Sequence, residues 1–436
     1  MTPSQARLRI ACGQLQARDL ADAPAALADA LEAVAGAGTA GAQLCILPEA
    51  TYPAYVLGSA ETARAAIAAG PDPVVAFSDA ARDAGCTVVV GLVLEGPHGL
   101  ENAAVLIDAD GVVQARAAKQ FLWHFDREWF APGGAGSLHE GIGMLVCADA
   151  RLPEIGLDLA ARGVRVIANP TAWVTSMPPP AGTNSQAEFL WRVRALENRV
   201  VAAAATKVGT EADTVIYAGR SQIVGPDGTV LAIGSVDGPE LVVADVELPV
   251  PSTRATPNAP GDAATDGAWQ RPPLRPGFVQ VALLTDVDLL PRLDGHSVDV
   301  VVGPSGVLRH GDVAVHSFRD DELIDPRPAR AAARAAAELL VWHARRVATS
   351  LVEEVARTRA LENRVFVLVW RPAAAGGPFV VDPAGAVIAR AGASRFAVQA
   401  SCLRAAAATK AMAPGTDAFD AGAGLSAPTP TARPGP

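Results

Sequence analysis

The chain has 436 residues, half of them hydrophobic, with 40 Gly and 34 Pro scattered among Ala-rich and β-branched segments; this is globular composition for two or three domains, not disorder or collagen. Lys and Arg number 36 against 46 Asp and Glu, a net charge of -10, so nothing offers to neutralise a phosphate backbone and nucleic acid is excluded as a partner. The N-terminus lacks a basic stretch followed by a long apolar run, no apolar run approaches 18 residues, and five scattered cysteines fit neither a disulfide framework nor a zinc cluster. A cytoplasmic protein with no membrane partner is expected.

In chain order, short β-rich runs alternate with Ala-rich stretches of helical length. Strands are expected at Leu8–Leu15, Gln43–Leu47, Thr87–Leu94, Ala103–Ile107, Val112–Ala117 and Gly143–Cys147. The series continues through Arg165–Ala168, Val200–Lys207, Ser221–Val224, Val230–Ile233 and Leu241–Val246. Helices are expected at Asp22–Ala35, Ala60–Ala69, Pro73–Ala84, Pro153–Arg162 and Ser185–Arg199. Alternation of this kind predicts one large α/β domain over 1–250.

Residues 251–276 are rich in Pro, Thr, Asp and Gly without apolar periodicity and read as a linker. Beyond it the chain repeats itself. Arg194-Ala195-Leu196-Glu197-Asn198-Arg199-Val200 recurs as Arg359-Ala360-Leu361-Glu362-Asn363-Arg364-Val365, and the run Ile223–Val230 parallels Val380–Val387 in the same order. Upstream, Val302-Gly303-Pro304-Ser305 aligns with Ile46-Leu47-Pro48-Glu49. Residues 277–420 therefore read as a shortened, degenerate α/β repeat of the first domain, with no counterpart for the segments that carry Lys119 and Cys147 below. Residues 421–436, mostly Ala, Thr, Gly and Pro, read as a disordered tail.

Three patterns in the first domain deliver a reactive group just past a strand. In Leu47-Pro48-Glu49-Ala50, a carboxylate after a buried strand is partly desolvated, which suits general acid–base work, although a capping or surface Glu reads the same way. Lys119 enters a loop dense in aromatics, Gln120 to Phe130, where an ammonium near a reacting carbonyl stabilises an oxyanion; alone it reads as a solvated side chain. In Val146-Cys147-Ala148-Asp149-Ala150-Arg151-Leu152-Pro153-Glu154, an apolar strand ends on a Cys, and Pro153 suits the first turn of a helix whose positive end favours a thiolate; an inert buried Cys is the plain alternative.

In the order Glu, Lys, Cys, these patterns resemble the nitrilase superfamily of carbon-nitrogen hydrolases. The resemblance covers roughly residues 7–250 and includes Phe130-Ala131-Pro132-Gly133, Asn169-Pro170-Thr171-Ala172-Trp173 and the Arg-Ala-Leu-Glu-Asn helix. It implies an α-β-β-α sandwich and a thiol amidohydrolase. Carried over residue by residue, Glu49 is the general base, Cys147 the nucleophile, and Lys119 with the Ala148 backbone N–H the oxyanion holder. No metal or cofactor is implied. Tyr52, Tyr55, Trp123, Phe125 and Trp173 are candidates to line an apolar substrate pocket, or are plain core.

Two departures bear on the chemistry. Where the family has a second Glu, this chain has Asp126, with Glu128 two residues on; the spacing favours Asp126 as the acid that orients Lys119 and leaves Glu128 open. Ala148-Asp149 after the nucleophile resembles the amidase-type branches, and Ala150 stands where carbamoyl-amino-acid hydrolases carry an Arg. Asp149 and Glu154 read as structural, pairing with Arg151 or capping the helix. Hydrolysis of a small-molecule amide is the leading expectation; acyl transfer from the same thioester and a binding or scaffolding pseudoenzyme are the rivals. Ser305 at the position of Glu49 leaves the repeat unable to catalyse alone. An internal pseudo-dimer of the two copies, with or without further oligomerisation, is the expected assembly.

Overall fold

Caps and breakers in the sequence set the helix ends of the first half of the chain. The computed structural model describes residues 6–124, 126–134, 136–175, 183–251, 275–293, 297–347, 349–391, 397–408, 410–413 and 416–417. These divide into two compact units, whose described parts are 6–251 and 275–417. The expected tail and all but the ends of the expected linker lie outside the described residues. Among the described residues no helix is long and apolar enough to cross a membrane.

The first unit begins with β1 (Arg7–Gln16), α1 (Ala23–Thr39), β2 (Leu44–Ile46), α2 (Ala60–Ala69) and α3 (Pro73–Ala84). Ser59 and Thr62 form a reciprocal capping box on α2; Asp72 accepts the Val74 and Val75 N–H groups to start α3, and Gly85 ends it at φ +60°. β3 (Thr87–Gly96), β4 (Gly99–Ile107), β5 (Val113–Ala118), the single-turn α4 (Asp126–Trp129), β6 (Leu138–His139) and β7 (Ile142–Met144) follow. Then come α5 (Pro153–Ala161), β8 (Val166–Pro170), β9 (Val174–Thr175), α6 (Trp191–Asn198) and β10 (Val201–Ala205). The unit closes with β11 (Lys207–Glu211), β12 (Val215–Ala218), β13 (Gln222–Val224), β14 (Val230–Ile233) and β15 (Glu240–Glu247).

Two mixed sheets result. One has nine strands in the order β5-β4-β3-β2-β1-β11-β12-β9 with β15 antiparallel to β1; the other runs β14-β13-β10-β8-β7-β6. Side-chain alternation along β1 sorts the layers: Ile10 and Cys12 join Met144, Val166, Ala168 and Val201 in a core between the sheets, whereas Ala11 and Leu15 pack with α1 and α3 on the outer face. On the second sheet, α6 packs against β10 and β13, and α5 packs against α6. The unit is an α-β-β-α sandwich.

The run Val200–Lys207, which reads as one strand, is two. The ladder with β8 ends at Ala205, and from Lys207 the chain pairs in the other sheet. The buried Thr206 makes the crossing, its N–H on Ser221 Oγ at 3.0 Å and its Oγ1 accepting the Trp173 N–H at 3.1 Å. An unbroken apolar run does not reveal which sheet each half joins. The helix expected over Ser185–Arg199 opens with a π-helical turn, Gln186–Leu190, before α6.

The second unit has β16 (Phe278–Leu284), β17 (Val300–Gly303), β18 (Gly306–Arg309), β19 (Val315–Arg319), α7 (Pro326–Arg334), β20 (Leu339–His343) and α8 (Val352–Asn363). Then come β21 (Phe366–Trp370), β22 (Phe379–Val381), β23 (Val387–Arg390) and β24 (Ala397–Leu403), followed by a short helix, Arg404–Ala408, and a two-stranded ladder of Ala411–Ala413 with Thr416–Asp417. Its sheets run β18-β17-β16-β24 and β19-β20-β21-β22-β23, with a core between them that includes Val281, Val300, Leu339 and Phe366. The second order matches β7-β8-β10-β13-β14 strand for strand in sense of pairing, and β24-β16-β17 matches β15-β1-β2.

Register carries the match to single residues. Val201 pairs with Val166, and Val166 with Ile142; Phe366 pairs with Leu339, and Leu339 with Val315. Five residues beyond Ile142 is Cys147, at φ +47°; five beyond Val315 is Asp320, at φ +42°. Each opens a 3-10 turn that precedes a helix with Pro at its first position. The sequence reading left the Cys147 segment without a counterpart here; the backbone supplies one, with Asp320 at the sulfur's place. What is missing lies chiefly upstream: Cys147 follows Pro48 by 99 positions, Asp320 follows Pro304 by 16. Ser305 sits at an exposed tip, between Gly303 and Gly306, which pair across the β17–β18 hairpin.

Candidate active site

β2 hands the chain to a turn whose shape depends on a glycine in the adjacent strand, β3. Leu47 N–H still bonds Val89 O on β3, but Ala50 turns to φ +41°, and the Gly91 N–H bonds Pro48 O at 3.1 Å. A Cβ on Gly91 would lie 2.4 Å from Pro48 O and 2.6 Å from Glu49 Cα, so only glycine lets β3 support the turn this closely. Glu49 is thereby held with no exposed surface. Its Oε1 accepts from Lys119 Nζ at 2.6 Å and from Asn102 Nδ2 at 2.7 Å; its Oε2 makes no direct hydrogen bond, and the Cys147 thiol acts on the carboxyl electrostatically.

Lys119 follows β5, with its backbone N–H on Asn102 O of β4 at 2.8 Å and its side chain 1 % exposed. Besides Glu49 it meets Asp126 Oδ2 at 2.5 Å. Asp126, fully buried on the single turn of α4, also accepts from Tyr55 Oη at 2.9 Å and from the Trp123 N–H at 2.8 Å. Glu128, two residues along the turn, is exposed.

Cys147 lies beyond β7, its N–H held by Asn169 Oδ1 at 2.7 Å and its Sγ 3.7 Å from Ala172 O. Ala148 is buried beside it in the same turn. Asp149 accepts from Val146 N–H at 3.0 Å, which caps the turn, and from Gln120 and Phe121 N–H at 3.0 and 2.7 Å. These backbone bonds fasten the Lys119 loop to the turn that carries the thiol. Arg151 stacks over the Trp123 ring at 4.4 Å.

Burial and a tight charge cluster set the ionisation. Burial raises the Glu49 carboxyl above its ordinary value, with Lys119 offsetting part of this and Asp126 adding to it. Burial opposes the Lys119 charge, but Asp126 and Glu49 outweigh it and hold the ammonium protonated well above its usual range. Burial pushes the Cys147 thiol up to about 12, with the Glu49 charge adding to the rise and Lys119 opposing it. The helix-end effect expected to favour a thiolate is outweighed. The free thiol must therefore lose its proton to a neighbour as it reacts, and Glu49 is the base within reach. Burial raises Asp149 to about 7 against three backbone donors.

Of the pocket candidates, Tyr55 stands at the site, whereas Tyr52 belongs to the helix–sheet core, its Oη against Gly70. Trp173 is fully buried and Trp123 half-buried; Phe125 lies outside the described residues. Asn169 lies in the quoted run Asn169–Trp173, without a role assigned to it there; the sequence reading missed Asn102 on Glu49 altogether. It also missed a neighbouring network in which Glu211 accepts from Tyr55 N–H, Val56 N–H, Tyr217 Oη and Lys207 Nζ, while Lys207 reaches Ala50 O at 3.1 Å. The usable signal for Asn102 was a lone amide inside the apolar run Leu100–Ile107.

A family model described as carbon-nitrogen hydrolase matches residues 9–255. Among curated proteins the chain is similar to a nitrilase of Pyrococcus abyssi, 30% identical over 215 residues, covering 48% of this chain and 78% of that protein. It is also similar to a deaminated glutathione amidase of Mus musculus, 30% identical over 241 residues, covering 50% of this chain and 71% of that one. Among solved structures, a mutant amidase from Nesterenkonia sp. AN1 with acrylamide added at its active site cysteine is 32% identical, with a TM-score of 0.48, covering 55% of this chain and 93% of that chain.

Proposed function

Because the chain belongs to the carbon-nitrogen hydrolase family through residues 9–255, we propose that it hydrolyses the C–N bond of a small-molecule amide through a thioester on Cys147. The observation that carries this reading is the burial of Glu49, Lys119 and Cys147 together, with Glu49 Oε1 occupied by Lys119 at 2.6 Å, Oε2 without a hydrogen-bond partner, and the thiol acting on the carboxyl electrostatically. In the forward step Glu49 takes the Cys147 proton as sulfur bonds to the amide carbon, and Lys119 with the Ala148 N–H receives the oxyanion. On collapse the C–N bond breaks, and the proton on Glu49 goes to the leaving ammonia or amine. Glu49 then takes a proton from water as its oxygen attacks the thioester, and returns it to sulfur as the acid leaves. Asp126 is the acid that holds Lys119; Glu128 faces away.

The second unit is, on this reading, a degenerate copy of the first that retains the turn but carries Asp320 in place of the thiol. Support comes from shared strand order, register and the positive φ at both turns. All turnover then belongs to the first unit. The test is intact-mass spectrometry with ammonia release over a panel of small aliphatic and aromatic amides. Ammonia and a transient acyl adduct that both vanish in Cys147→Ala are expected; turnover surviving in that variant would sink the mechanism, and adduct transfer to added hydroxylamine in preference to water would mark acyl transfer instead.

A further inference from the structure

Asn102 is a polar residue placed where a strand should be apolar. It lies in β4 with no exposed surface, paired across the ladder with Val93. Its side-chain Oδ1 is buried without a hydrogen-bond partner, a cost that a Leu or Val at this position would avoid. What it gains is one contact, Nδ2 to Glu49 Oε1 at 2.7 Å, while its backbone carbonyl takes the Lys119 N–H at 2.8 Å.

Two donors thus meet on one oxygen of Glu49, Lys119 from β5 and Asn102 from β4. A carboxylate so held cannot rotate without breaking both bonds, and its other oxygen makes no direct hydrogen bond. We propose that Asn102 is a positioning residue for the hydrolysis, fixing the Glu49 carboxylate so that Oε2 is the atom that accepts the Cys147 proton. This inference rests on the thioester reading above. An amide donor to the charged form also favours ionisation, so its removal moves Glu49 further towards the neutral acid. The other groups that act on Glu49 are Lys119 at the end of β5, Asp126 on α4, Cys147 on its turn, Tyr55 after β2 and Tyr217 on β12; none of them replaces a donor lost from β4.

The experiment follows the pH dependence of Cys147 alkylation by iodoacetamide, read by intact mass and peptide mapping, beside the pH profile of kcat/KM for whichever amide is turned over. The alkylation arm needs no substrate. In the wild type both fall on the acid side as Glu49 takes up a proton and level off above it, and Glu49→Gln replaces that limb and plateau in the alkylation arm with a thiolate slope that continues through pH 9. Asn102→Leu, similar in size and without a donor, moves the acid limb of both upward by roughly one to two pH units and lowers kcat with little change in KM. Asn102→Asp keeps the side-chain shape, so it tests the idea if the Leu variant does not fold; a second carboxylate against Glu49 moves the limb further than Leu does. An unmoved acid limb in either variant with native melting behaviour overturns the proposal. If Glu49→Gln leaves the wild-type limb in place, the thioester reading itself has failed, which is a different result.

Discussion

In the first unit Arg194 donates to the carbonyls of Ala150 and Arg151 and pairs with Glu197 at 2.5 Å; in the second, Arg359 donates to those of Leu323 and Ile324 and pairs with Glu362 at 2.7 Å. Asn198 and Asn363 each return a hydrogen bond to the arginine's own carbonyl, and Arg199 and Arg364 end their helices in the left-handed region. The carbonyls so clamped belong to the turn that opens with Cys147 in one unit and Asp320 in the other. The clamp therefore builds the turn whether or not a thiol stands on it. By contrast, among the described residues Lys119, Asp126, Asn102 and the Lys207–Glu211 network have no counterpart set in the second unit, where Ala373–Ala375 forms a short turn after β21 in place of β11 and β12. Comparing the units separates what the fold requires from what the chemistry requires.

The sharpest way to break this comparison is to alter both turns. Cys147→Ala should cost at least about 10^4-fold in amide hydrolysis, as loss of a nucleophile does, and Asp320→Ala should leave the rate untouched in the same ammonia assay. Next come the clamps. Arg194→Leu and Arg359→Leu each remove a buried ion pair and the hold on two turn carbonyls, at about 3–5 kcal/mol in urea unfolding; the first should also depress kcat, and the second should leave kcat in the folded protein within about twofold. If Arg359→Leu abolished turnover, the second unit would have a catalytic share that this division denies it.

A third test stays within the first unit. Asp126→Asn removes one of the two charges on Lys119 and should lower kcat roughly 10^2-fold, with Glu128→Gln unchanged in steady-state kinetics. Thiol reactivity gives a finer contrast: burial pushes both Cys147 and Cys402 to about 12, with Glu49 adding to the rise at the first and Asp382 at the second, but only Cys147 has an ammonium, Lys119, opposing it. Below its pKa a thiolate population rises about tenfold per pH unit. Alkylation of Cys147 should therefore climb at that slope through pH 9 in Glu49→Gln, and level off in the wild type once Glu49 is ionised, while Cys402 stays unmodified in the native protein. The smallest effect should be shared: Gly228 at φ +80° and Gly385 at φ +82° close equivalent hairpin turns, and Ala at either should cost about 1 kcal/mol in thermal unfolding.

Much of this was legible beforehand because local patterns carried it. The helices at 60–69 and 73–84 matched to the residue, since Ser59, Asp72, Pro73 and Gly85 mark their ends chemically. The strands expected in the first unit fell within a few residues of observed ones, by β-branched runs and turn residues, whereas β6, β9 and β12 were not expected. Glu49, Lys119 and Cys147 stood out because each follows a strand, and a recurring heptapeptide announced the second unit. Asn102, Lys207 and Glu211 did not stand out, because each acts on a residue 53 to 157 positions away and none lies in a recognisable pattern; Asn169 stood in the quoted run Asn169–Trp173, but its hold on the Cys147 N–H did not show there. The counterpart of Cys147 was hidden for another reason: Phe318-Arg319-Asp320 shares no identity with Leu145-Val146-Cys147, and only ladder register brings the two into line.

By itself the sequence determined the periodicities, the caps, the repeated helix and the order of the three reactive residues, all of which depend on neighbours within a turn or a strand. The tertiary structure decided which side chains share a buried volume and hence what their protons do. Whether the Cys147 thiol ionises alone depends on the loss of water around it and on Glu49 and Lys119, which come from strands far apart in the chain. Those are long-range electrostatic and solvation terms, which no local pattern in the chain encodes.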